Sequence, residues 1–158
     1  MFPTNIKVTS RIAMDAARVS GMQYTDYCQR VDPDFINILP PKPEVNGQSR
    51  QFSATQFAAL CIVSDFVIAG VKAPLAAKIA RRVIEAHERQ PEVEQWAIIA
   101  TANGNVSTLP YDQVDIRTGF VSGARLNFAL VVDLKTYAER VAAAIADAPK
   151  VIGGDDAE

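Results

Sequence analysis

His87-Glu88 opens the H-E-x-x-H pattern, in which two histidines on one helix face hold zinc and a glutamate acts as base, but the fifth position is Pro91. His87 is the chain's one histidine, and among charged neighbours on a helical stretch it reads as a solvated surface side chain. Cys28 and Cys61 stand 33 positions apart without a C-x-x-C, and only His87 could join them as a ligand, so a zinc site lacks donors. A single disulfide between them is open on paper. Their apolar or aromatic neighbours (Tyr27; Leu60 and Ile62) fit free buried thiols in a reducing cytoplasm better. The carboxylate pairs Asp112/Asp115 and Asp155/Asp156 fall in turn-like or tail segments, with nothing to raise one pKa above the other. No G-x-G-x-x-G, Walker loop or G-x-S-x-G elbow occurs. The chain therefore reads as a non-enzyme with no catalytic residue, no cofactor and no metal.

The elements that carry these residues are those of an ordinary globular protein. The chain has 158 residues, 49% hydrophobic and 22% charged, which excludes wholesale disorder. The net charge of −2 and pI of about 5.4 exclude a polybasic binder. The charge is unevenly spread, however. Residues 1–90 hold 11 basic and eight acidic side chains, a net of +3, and residues 91–158 hold five and ten, a net of −5. That split is what a nucleic-acid contact confined to one lobe would give, and random scatter gives it too. The N-terminus has no apolar secretion core, and the most apolar run, 57–71, is broken by Ser64 and Asp65 and too short for a bilayer. A cytoplasmic protein without membrane contact is expected.

Thr9 or Ser10 can cap a first helix with Ile12, Ala13, Ala16, Ala17 and Val19 at helical spacing; Gly21 ends it, and 22–31 reads as a second short helix. Residues 35–39 suggest a strand, the proline-rich stretch 40–50 a hairpin loop, and 50–52 a returning strand. A helix over 54–69 stops at Gly70 and is apolar nearly all round, which calls for burial between lobes or between subunits. Pro74 opens a further helix with Leu75, Ile79, Val83 and Ala86 as its stripe. The last third predicts strands at 95–101, 106–109, 113–117 and 124–133, then a helix carrying Leu134, Tyr137, Ala138, Val141 and Ile145.

The order of the first 90 residues resembles the winged helix-turn-helix of MerR-like transcriptional regulators. The matching segments are the helices 12–20 and 22–31, a wing over 36–52 leaving through Arg50-Gln51-Phe52, the Phe57…Leu60…Gly70 pattern, and the helix opened by Val71-Lys72-Ala73-Pro74-Leu75. Only Tyr27 and Arg30 answer to the family's aromatic- and Arg-rich stretch, the wing is longer and proline-rich, and no long coiled coil follows Arg89. The paired cysteines that some members use to sense metal are missing, so the resemblance implies no ligand. It implies an α+β fold: an N-terminal winged helix-turn-helix over 1–90, then a small antiparallel sheet and a C-terminal helix. Residues 91–150 would serve dimerisation or regulation, and 151–158 would form a disordered acidic tail.

What the resemblance implies for function is a bacterial or phage regulator that binds double-stranded DNA as a homodimer. Gln23, Tyr24, Thr25, Tyr27 and Arg30 are the side chains available to a recognition helix in the major groove, where Gln and Arg can make bidentate contacts with base edges. Lys42, Gln48 and Arg50 in the wing, with Arg11 and Arg18 on the first helix, would meet phosphates. Each cation reads equally as a solvated charge, and Tyr24 and Tyr27 equally as core or cap packing. Trp96, Phe128 and the Tyr137/Val141/Ile145 stripe are the expected dimer contacts. The alternative is a winged-helix adaptor that binds protein and does not read DNA.

Overall fold

The structure is a computed structural model and describes residues 1–148. Its first half runs β1 (Lys7–Thr9), α1 (Ser10–Ala17), α2 (Gly21–Gln29), α3 (Pro33–Ile38), β2 (Gln51–Ser53), α4 (Ala54–Ile68) and α5 (Ala73–Arg89). Then follow β3 (Gln95–Thr101), β4 (Val106–Pro110), β5 (Phe120–Val121), β6 (Ala124–Asp133) and α6 (Leu134–Asp147). The class is α+β, with a two-strand sheet β1-β2 and a four-strand sheet in the order β4-β3-β6-β5, both antiparallel.

Gly21 does not end the first helix. α1 stops at Ala17, Arg18 takes the left-handed conformation (φ 58°) as its cap, and Gly21 opens α2. The start of α2 is fixed by Ser20. Its Oγ accepts from the Gln23 amide at 3.2 Å, and Gln23 Oε1 accepts from the Ser20 amide at 3.0 Å, a reciprocal capping box. Three residues, Arg18, Val19 and Ser20, thus separate the two helices.

The expected strand at 35–39 is helix α3. Asp32-Pro33-Asp34 is a helix start, with proline in the first turn and an acid beside it. The hairpin over 36–52 is absent as well. Pro40, Pro41 and Pro43 supply no N–H to a ladder, and β2 pairs instead with β1, Val8 opposite Phe52. The segment 39–50 is a loop. Arg50 closes its base by donating from Nη1 to the Pro40 carbonyl at 2.6 Å.

α4 begins with a second capping box, Ser53 with Gln56, and its residues from Phe57 to Ser64 are all buried. The all-round apolar helix is covered within this one chain by α1, α5 and α6. Its exit is left-handed at Gly70 (φ 94°), a conformation a side chain would strain. The main core crosses position 90: Trp96, Ile98, Val132, Leu134 and Val141 share one buried cluster with Phe35, Phe52, Phe57 and Leu60. The opposite sheet face has its own small cluster of Ala97, Ile99, Val114 and Val121. No strand forms at 113–117. Tyr111–Gln113 is a 3-10 turn, and Asp115 Oδ1 accepts from the amides of Arg117 and Thr118, turning the chain toward β5.

His87 is not a surface side chain. It is 6% exposed, its Nδ1 lies 3.3 Å from the Val93 carbonyl, and its ring meets Phe2 edge-on at 5.6 Å. Both cysteines are free thiols, Cys61 buried and Cys28 half-buried. Among the described residues, no helix is long and apolar enough to cross a membrane. The acidic segment 151–158 lies outside the described residues.

Candidate nucleic-acid interface

Helix α2 is held from beneath by two tyrosines. Tyr27 is buried and stacks on Phe35 with ring centroids 4.9 Å apart, so it belongs to the core and not to a reading face. Tyr24 is half-buried against Phe52 (6.1 Å), and its hydroxyl finds no hydrogen-bond partner among the described residues. Burial, with the Cys28 thiol close by, raises the Tyr24 pKa above the usual phenol range. Both take the packing role that the sequence left open beside recognition.

The outer face of α2 presents Met22, Gln23, Thr25, Asp26 and Gln29 to solvent. Gln23 is engaged by its capping box through Oε1 and keeps its amide nitrogen for another partner. Thr25 Oγ1 donates back to the Gly21 carbonyl at 2.9 Å, which leaves the hydroxyl able to accept from another partner. Arg30 closes the helix. Its Nε donates to Asp26 Oδ2 at 3.1 Å, its Nη1 lies 3.7 Å from Asp32, and its guanidinium stands 5.4 Å from the Phe35 ring centroid.

Three of the expected cations meet. A cleft of about 200 Å³ between the end of α2 and the 39–50 loop is lined by Arg30, Lys42 and Arg50, with Tyr27 and Cys28 in its wall. Arg30 and Arg50 are pre-positioned by the partners given above. Lys42 is exposed and, among the described residues, without an ion-pair partner. An anion entering there would find one exposed ammonium and two guanidinium groups, of which that of Arg30 is also paired with Asp26 and Asp32.

The other expected residues are dispersed. Arg11 is exposed on α1, and Gln48 is exposed near the loop's turn, its amide donating to the Val45 carbonyl. Arg18 is exposed but leans on Asp65 at 3.4 Å. Lys7, on β1 and also unpaired among the described residues, is a further exposed cation that the sequence reading passed over, its only signal being its place before the first helix.

The expected dimer residues divide differently. Trp96 (2% exposed) and Val141 are interior, and Tyr137 and Ile145 are half-buried partners of the same core, so these four hold α6 and the sheet to their own chain. Phe128 alone is well exposed, at 49%. Sequence reasoning also missed the link between the two parts of the chain, in which Arg140 on α6 meets Asp65 on α4. Among the described residues, no three His, Cys, Asp or Glu side chains gather as metal ligands. Neither a protein-family model nor a curated protein sequence matches this chain.

Proposed function

We propose that the chain is a cytoplasmic, sequence-specific DNA-binding transcriptional regulator of winged helix-turn-helix type, acting as a homodimer. The observation that carries this reading is the convergence of Arg30, Lys42 and Arg50 at one cleft, where the end of α2 meets the loop standing in the wing's place. In this reading α2 lies in the major groove with Gln23, Thr25 and Gln29 toward base edges, and the cleft grips the flanking phosphate. Residues 1–90 supply the DNA contact and 91–150 the assembly. Two copies related by a two-fold axis would read two half-sites.

The experiment is selection of bound duplexes from a random pool. An enriched motif of two inverted halves is the expected result. Failure to enrich any motif, together with unchanged binding by Arg30→Ala and Lys42→Ala, would overturn the proposal.

One observation favours the adaptor reading. Met22, Val31 and Ile36 are large apolar side chains exposed around α2, at 83%, 87% and 62%, and Asp26 and Asp32 offset the charge of Arg30. Such a patch suits a protein partner. Capture of a protein partner that Met22→Lys abolishes, with no DNA selected, would support it.

A further inference from the structure

On α5, Lys78 and Arg82 stand one helical turn apart on the same face. Like charges at that spacing destabilise a helix. Neither has an ion-pair partner among the described residues. Glu85, the acid three places on from Arg82, is held instead by Arg81 at 2.9 Å. Arg82 is nonetheless half-buried.

Both cations border an apolar groove of about 170 Å³ between α5 and the four-strand sheet. The strand register explains the hollow. Ala100 on β3 stands between Val106 on β4 and Phe128 on β6, a methyl between two large side chains. Ile98 and Leu130, opposite each other and next along the same face, floor the groove. Its rim is Leu75, Val106 and Phe128, exposed at 53%, 49% and 49%. Among the described residues no acidic side chain lines it.

We propose that this groove binds a small-molecule monocarboxylate, its apolar body on Ile98 and Leu130 and its anionic end between Lys78 and Arg82. The groove is smaller than a drug-sized pocket and admits one acyl chain or one aromatic ring. A guanidinium fork meets both oxygens of a carboxylate, and the lysine adds a point charge beside it. One such ligand relieves the like-charge pair on α5 and covers the exposed apolar rim at once. A purely apolar ligand leaves the two cations unpaired, and a purely ionic one leaves the rim in water. None of these residues belongs to the α2 interface, so the site stands independently of the DNA reading.

The probes are octanoate and phenylacetate, titrated into the wild-type chain while the methyl signals of Ile98, Val106 and Leu130 are followed by NMR. At least one acid should give saturable shifts confined to the groove, with a Kd of about 1 mM or tighter. Octanol should bind about tenfold more weakly than octanoate, because it offers the two cations no charge. Arg82→Gln keeps most of the side chain's stem; it should weaken octanoate about tenfold and leave octanol unchanged. Lys78→Gln, at an exposed position, should weaken octanoate by about threefold with circular dichroism unchanged. No shift from either acid, equal affinity for octanoate and octanol, or unchanged octanoate binding by both variants would overturn the proposal. So would rim signals that move with protein concentration and not with either acid, which would give the groove to a second copy.

Discussion

Arg140 on α6 holds Asp65 on α4 through Nη1, 3.1 Å from each carboxylate oxygen, while its Nε donates to the Ala16 carbonyl at 2.9 Å. One guanidinium thus ties the last helix to α1 and α4. Arg18 reaches the same carboxylate at 3.4 Å from the turn before α2, so the network ends beside the candidate interface. Asp65 and the Arg140 guanidinium are both largely withdrawn from water, which makes the pair stronger than an exposed one. Arg140→Met should cost about 2 kcal/mol of stability, read as a lower urea midpoint with unchanged slope. A change within about 0.5 kcal/mol, the scale of a neutral surface substitution, would count against it.

Tyr27 lies in the core beneath the exposed face of α2. Tyr27→Ala should destabilise by about 3 kcal/mol or more, because it opens a cavity against Phe35. Tyr27→Phe keeps the stacked ring and should leave both thermal midpoint and DNA affinity nearly unchanged. A large loss of DNA binding in a stable Tyr27→Phe protein would return the hydroxyl to the interface.

The capping boxes give a local prediction. Ser20→Ala and Ser53→Ala should each cost about 1 kcal/mol, and Ser20→Asp should restore most of the first loss. Amide exchange locates the effect: Ser20→Ala should speed exchange in the first turn of α2 and leave α4 alone. Equal loss of protection in both helices would contradict an independent cap.

Alkaline pH should unfold the chain early. Burial pushes the Cys61 thiol up to about 12, and it raises the Tyr27 phenol as well, helped by the nearby Asp26 carboxylate. The unfolded chain loses these protons first, so in that range the native state binds more of them and stability falls as pH rises. For Cys61 the loss runs from about pH 9 to about pH 12, at about 1.4 kcal/mol per pH unit. Thermal midpoints measured upward from neutral pH should show a slope that Cys61→Ala makes shallower. An identical slope in Cys61→Ala would refute the assignment.

Elements marked by a clear apolar period, or in α4 by a long apolar run with a cap, could be read directly. α4, α5, β3, β6 and α6 lie within a residue or two of expectation because Leu75/Ile79/Val83 and Leu126/Leu130/Val132 signal their own geometry. Two of the differences share a cause. At Phe35-Ile36-Asn37-Ile38 the β-branched residues suggest a strand, whereas Asp32-Pro33-Asp34 starts a helix and the contacts with Tyr27 and Arg81 favour it. Arg81 Nε donates to Asp34 at 2.6 Å, a contact 47 residues apart in sequence. Residues 50–52 likewise read as the return of the nearby segment 35–39, whereas β2 pairs with the distant β1. In the site, the cations were legible as residue types, but which of them converge was not, because the cleft depends on where the 39–50 loop folds back. Trp96 and Val141 show the converse: an apolar stripe is identical in sequence whether it faces its own core or a second copy.

The central claim is tested most directly by fluorescence anisotropy of a selected duplex, titrated at several salt concentrations with wild type, Lys42→Ala and Arg30→Ala. If the cleft grips phosphate, Lys42→Ala weakens binding uniformly across sequences and lowers the salt slope by about one. Arg30→Ala should weaken binding further, since it loses a fixed guanidinium as well as a charge. Equal affinities and equal salt slopes for all three proteins would contradict the account.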